Sequence, residues 1–190
     1  MRQTPLIEQH RAHGAKLVDF AGWDMPIQYA SVVGEYQTVR TKAGLFDVSH
    51  MGRIRVIGRG ALEFLQRVTI NNVAAVSLMG AQYSMVCNPN GGIKDDIFIY
   101  HTGPDEYLIC VNASNRSKIV AWFYEHQGST SVRILDESDE LAQLALQGPA
   151  ASVVLDNVGL TDVVCLKPRN ALPVVIRGKS CLISRTGYTG

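Results

Sequence analysis

Two carboxylates, Asp95 and Asp96, stand side by side at the head of the apolar run IFIY. Adjacent like charges repel and gain nothing from the strand that follows, so the pair asks for a chemical reason. Alternation along a strand sends neighbours to opposite faces. Asp96, Phe98 and Tyr100 then share one face, and Asp95, Ile97 and Ile99 the other. The two acids therefore do not converge on one substrate atom, as paired-carboxylate hydrolysis demands. Asp96 shares its face with aromatic residues and needs a hydrogen-bonding partner or a ligand to offset its desolvation. Asp95 reads as a turn or surface acceptor. The ordinary alternative is that both are solvated beside the NGG turn.

Other residues could join such a site. Tyr83 and Tyr100 fall on neighbouring strands and could stack on a flat ligand, although cross-strand packing is the commoner use of such rings. Asn112 follows the apolar YLICV strand. It serves either as a turn residue or as an amide that reads the edge of a heterocycle. DVSHMG puts Asp47, Ser49 and His50 close in sequence, but a triad needs converging segments and no GxSxG elbow surrounds Ser49. His50 reads as a structural hydrogen-bonding residue, and Met51 as core or pocket lining. VIGRGA and SRTGYTG match no phosphate loop. In the latter, Arg185 and Tyr188 sit among glycines that permit close backbone approach.

Composition excludes several classes of function. Lys plus Arg number 18 against 17 Asp plus Glu in 190 residues, so no excess charge points to a nucleic acid or a membrane surface. The four cysteines have no CxxC spacing, which predicts buried free thiols in a reducing compartment and no metal site. No secretory signal opens the chain, and no apolar run reaches the ~20 residues of a membrane helix. A cytoplasmic protein is expected.

The elements that must position these residues are legible in outline. A short helix lies within 5–17, and LVDFAGWDMPIQY mixes strand-like and loop-like residues. Ser31 caps a helix to about Ala43, with Val32, Tyr36 and Val39 on one face. RIRVIG is a strand, and a helix over 60–70 carries Leu62, Leu65 and Val68. A β-meander follows: AQYSMVC, the NPNGG turn, IKDDIFIYH, the TGPDE turn, YLICVNA. Ser114 opens a helix through Trp122 and Phe123. VRILD and ELAQLALQ read as strands, and Pro149 starts a short helix. LPVVI and SCLISRTG form a hairpin about Arg177-Gly178-Lys179. The order implies an α+β class with a compact unit over 55–138.

Taken together in this order, LVDFAGWDMPIQY, GLFDVSHMG, YSMVCNPNGGIKDDIFIY, VNASN, LALQGP and SRTGYTG resemble the glycine-cleavage aminomethyltransferase (T-protein) family, from about residue 4 to the end. The resemblance implies a folate-binding α+β fold of mostly antiparallel sheets with flanking helices. A discontinuous first domain, 1–54 and 139–190, is split by an inserted domain, 55–138. Family chains are longer, so this one is expected to be an N-terminal portion without the third domain, weak in folate binding and poor in turnover alone.

The implied activity is transfer of a one-carbon unit from an aminomethyl group on the dihydrolipoyl arm of a lipoylated H-protein to tetrahydrofolate, giving 5,10-methylenetetrahydrofolate and ammonia. Asp96 matches the family's key acid. Met51, Tyr83, Asn112 and Tyr188 match positions that contact folate. Two alternatives keep the folate site. One changes the donor to sarcosine, dimethylglycine or a sulfonium compound; the other is a non-catalytic folate-binding accessory protein, whose KGC-type motif does not occur here.

Overall fold

A computed structural model describes residues 1–189; Gly190, the last residue of SRTGYTG, lies outside the described residues. The strands begin with β1 (Arg2–Gln3), β2 (Lys16–Phe20), β3 (Trp23–Gln28), β4 (Gly44–Asp47) and β5 (Gly52–Ile57). The meander is β6 (Ala81–Cys87), β7 (Ile93–Gly103) and β8 (Glu106–Val111), followed by β9 (Arg133–Asp136) and β10 (Leu144–Gln147). The last pair is β11 (Ala171–Ile176) and β12 (Lys179–Ser184). The helices are α1 (Ile7–Ala12), α2 (Val32–Thr41), α3 (Ala61–Val68), α4 (Arg116–Glu125), α5 (Ala151–Asn157) and α6 (Thr161–Val164).

The chain divides into two compact units. One holds Met1–His50, Ala142–Cys165 and the residues from Gly187; the other holds Met51–Leu141 and Leu166–Thr186. The hairpin of β11 and β12 thus groups with the second unit, whereas the expected first domain had included it.

In the first unit, LVDFAGWDMPIQY is a complete hairpin, β2 against β3. Ala21 and Gly22 both have positive φ, and Asp19 Oδ1 accepts the Gly22 N–H at 2.8 Å. Two positive-φ residues in a row are what a tight hairpin turn requires. Ser31 caps α2 as expected: its Oγ accepts the Gly34 N–H. Glu35 adds a second cap, its Oε1 accepting the N–H groups of Tyr29, Ala30 and Ser31. Those donors hold the Glu35 carboxyl below its ordinary value. Of the expected apolar face of α2, Val32 and Tyr36 are exposed and Val39 is half-buried. ELAQLALQ is strand only over β10, which pairs with β4. The α5 helix begins at Ala151, past Pro149.

The second unit is built on a five-stranded antiparallel sheet in the order β6-β7-β8-β5-β9. One face of it, with α3 and α4, forms a core that includes Ile54, Val56, Val86, Ile97, Ile99, Ile109, Ile119 and Phe123. The buried stripe of α3 is Ala61, Phe64, Leu65 and Val68, and Leu62 is exposed. A spacing of three drifts off a helix that turns every 3.6 residues, which is why Leu62 leaves the face and Phe64 takes its place. Phe64 meets Phe123 edge-on at 5.5 Å between ring centroids. The α4 helix begins at Arg116 after a 3-10 turn over Ala113–Asn115, later than the Ser114 start read from sequence.

The entry and exit strands of this unit are tied directly. Arg53 N–H donates to Ser138 Oγ at 2.8 Å, Glu137 N–H donates to Arg53 O, and the Arg53 guanidinium donates to the carbonyls of Met51 and Ser138. Burial lowers the Arg53 guanidinium from its ordinary value, although it has no neutral form within reach of neutral pH.

The cysteines depart from expectation. All four are free thiols, but Cys87, Cys110 and Cys181 are only half-buried and Cys165 is exposed. Among the described residues no helix is long and apolar enough to cross a membrane.

Candidate functional site

Strand register assembles the candidate residues on the sheet face opposite the helices. Tyr83 lies opposite Phe98, Phe98 opposite Cys110, and Cys110 opposite Arg53, so these four form one rank across β6, β7, β8 and β5. The next rank begins with Met85 opposite Asp96. One step past the recorded pairs, the same register carries this rank on to Asn112 and Met51. The aromatic rings touch along this face. Tyr83 and Phe98 meet edge-on at 5.7 Å, and Phe98 and Tyr100 stack at 5.9 Å.

Asp96 is exposed and held on both sides. The Tyr83 hydroxyl donates to Asp96 Oδ2 at 3.2 Å, and Asn112 Nδ2 donates to Asp96 Oδ1 at 2.8 Å. These are the partners its aromatic surroundings called for. Partial desolvation of the ring and the neighbouring Asp96 charge raise the Tyr83 phenol, so it remains a donor at neutral pH. Burial raises the Tyr100 phenol as well; its oxygen lies 3.4 Å from Thr186 Oγ1.

Three of the five expected site residues, Tyr83, Asp96 and Asn112, are thus joined by direct hydrogen bonds. Met51 is 7% exposed, which makes it a packed neighbour of the group rather than an open lining. Tyr188 belongs to the other compact unit, where its backbone N–H donates to Gln147 Oε1 at 3.1 Å.

Asp95 departs from its expected place at a turn or on the surface. Asp95 is 2% exposed and fully hydrogen-bonded, not a surface acceptor. Its Oδ2 accepts the Asn112 N–H, and its Oδ1 accepts Asn112 Nδ2 and Asn115 Nδ2. The signal was present in VNASN, whose two asparagines three apart are the donors. The strand rule correctly put the acids on opposite faces but says nothing of a third residue that reaches both.

DVSHMG serves a different purpose in the first unit. His10 Nε2 lies 3.0 Å from Asp47 Oδ2, and His10 Nδ1 lies 2.7 Å from the Tyr29 hydroxyl. Burial alone would raise the Asp47 carboxyl, but hydrogen bonds from Ser49 and His10 hold it below its ordinary value. The Ser49 hydroxyl is engaged with the Gln143 backbone, and His50 packs edge-on against Phe20 and Trp23. These residues knit backbone segments together. Among the described residues no cluster of His, Cys, Asp or Glu is placed to hold a metal.

An antiparallel sheet unit with a carboxylate on an aromatic face, in a chain of mixed helices and sheets, is an α+β architecture. Its family follows from comparison: the GCVT N-terminal domain family matches residues 6–190, and the chain belongs to it. It is 46% identical to the aminomethyltransferase of Bacillus subtilis (strain 168) and 47% identical to that of Geobacillus kaustophilus (strain HTA426). Each match takes in 100% of this chain and 52% of the relative, so the chain spans about half the length of the curated relatives it matches.

Among solved structures, the glycine cleavage system aminomethyltransferase T from Bartonella henselae superposes with a TM-score of 0.89 at 32% identity, over 99% of this chain and 51% of that one. The heterotetrameric sarcosine oxidase from Corynebacterium sp. U-96 gives a TM-score of 0.53 at 18% identity, over 79% of this chain and 75% of that one, a likeness of fold alone.

Proposed function

We propose that this chain is part of an aminomethyltransferase of the glycine cleavage type. The donor is an aminomethyl group on the lipoyl arm of an H-protein, the acceptor is tetrahydrofolate, and the products are 5,10-methylenetetrahydrofolate and ammonia. The observation that carries the reading is the Asp96 carboxylate, held between the Tyr83 hydroxyl and the Asn112 amide on an open aromatic face. The names of the relatives support it, and since the chain spans about half their length the full activity is proposed for the longer polypeptide.

The chemistry fits the residues. Tyr83 and Phe98 offer faces on which a flat pterin can rest. Asp96 offers a fixed acceptor for the pterin's N–H groups, and a carboxylate in that position can accept a proton and stabilise developing cationic character. Bound tetrahydrofolate supplies the nitrogen atoms that receive the one-carbon unit; the protein's part is to hold and orient them. Met51, packed beside these residues, is proposed to back the folate face.

The test is ammonia release from aminomethyl-loaded H-protein and tetrahydrofolate by the full-length polypeptide. Asp96→Asn should abolish most of it while the protein stays folded. Unchanged release would remove Asp96 from the reaction.

A further inference from the structure

Asp95 plays no part in the proposed transfer, yet its contacts decide how Asn112 is presented. Its carboxylate accepts three N–H groups: the Asn112 backbone at 2.9 Å, Asn112 Nδ2 at 2.9 Å and Asn115 Nδ2 at 2.5 Å. The same Asn112 nitrogen also reaches Asp96, at 2.8 Å from Oδ1 and 3.1 Å from the backbone O. An ionised carboxylate only accepts, whereas one end of a side-chain amide donates and the other accepts. Turning the amide over would press its oxygen against two acids at once. The nitrogen is therefore committed to the carboxylates, and Oδ1 points away from them. Among the described residues no hydrogen bond is donated to that oxygen.

We propose that Asp95 is a positioning residue. Through Asn112 it holds the Asp96 carboxylate in place, and it makes position 112 offer a ligand an acceptor oxygen. Paired with Asp96, that oxygen selects a ligand edge rich in donors, such as the amino and ring N–H groups of a reduced pterin. The ligand part of this inference rests on the folate reading; the amide orientation does not.

Two measurements test it separately. In the isotope-labelled 190-residue chain, NMR should find that the Asn112 side-chain amide hydrogens exchange at least about tenfold more slowly than those of Asn90, which is exposed in its turn. Equal exchange overturns the proposal without any variant being made, so a failure of Asp95→Asn to fold leaves it testable. In folded Asp95→Asn the Asn112 protection should fall by about tenfold; protection unchanged overturns it.

A reversed pair, Asp95→Asn with Asn112→Asp, separates positioning from mere support. It returns one donor–acceptor pair between the two positions but sets a new carboxylate against Asp96, so the melting temperature should recover only in part, and no amide is left to donate to Asp96. Tetrahydrofolate affinity should stay low in that chain when measured by titration calorimetry in the full-length polypeptide. Recovery of affinity along with stability overturns the positioning role. Failure of the unaltered full-length polypeptide to bind tetrahydrofolate would instead sink the folate reading, with the amide result left standing.

Discussion

The Tyr83 hydroxyl donates to Asp96 Oδ2 at 3.2 Å across adjacent strands, so one edge of the acid is fixed by a residue from β6 and the other by the amide that follows β8. Neither contact is local in sequence. The acid's orientation is therefore a property of the assembled sheet, and it disappears if the register of either strand pair slips by one.

Asp96→Asn keeps the size of the side chain and removes its charge. Ammonia release in the H-protein and tetrahydrofolate assay should fall by about 100-fold or more. Tyr83→Phe removes one donor and leaves the ring. It should retain the stacking face and lose about tenfold or less, an effect of roughly 1 kcal/mol.

The 190-residue chain alone should bind tetrahydrofolate weakly, with a Kd on the order of 1 mM or about −4 kcal/mol. Titration calorimetry measures this directly. Micromolar binding would mean that the residues described here suffice for the site.

Phe64 is fully buried against Phe123 at the centre of the second unit's core. Phe64→Ala should cost about 3–5 kcal/mol, read as a loss of denaturant midpoint, because the void is closed in by the sheet on one side and α4 on the other.

Gly148 has a φ of +118°, and a Cβ there would sit 2.5 Å from Lys42 O and 2.6 Å from Val39 O. Gly148→Ala therefore meets backbone as well as an unfavourable conformation. It should destabilise the first unit by about 1–3 kcal/mol in thermal melts.

Acid should weaken the first unit through Asp47 and Glu35, whose folded-state values both lie below their ordinary ones of 3.8 and 4.5. A lowered carboxyl contributes stability that is complete above its unfolded value and is lost as pH falls through the folded one. Stability from these two groups should be flat above about pH 5 and decline below 4.5 and then 3.8. Glu35→Gln should flatten the upper part of that decline in a series of melts.

The meander was legible because its turns and alternation are local signals, and period two was enough to send Asp95 and Asp96 to opposite faces. Less was legible where tertiary contacts decide. The burial of Asp95 depends on two asparagines beyond the next strand, and no pattern within KDDIFIY reports them. The exposure of Val32 and Tyr36 on α2 likewise depends on what packs against the helix, whereas the apolar spacing only says that a face exists. ELAQLALQ was read too long because strand composition continues past the point where β4 stops offering partners.

The clamp of Arg53 on Ser138 has a consequence for the chain as a polymer. It brings the two ends of the 51–141 segment to within hydrogen-bonding reach, inside that segment's own fold. The host backbone therefore bears little of the loop-closure entropy that so long an excursion would otherwise impose. Topologically the 51–141 segment behaves like a turn between β4 and β10, which pair with each other on either side of it.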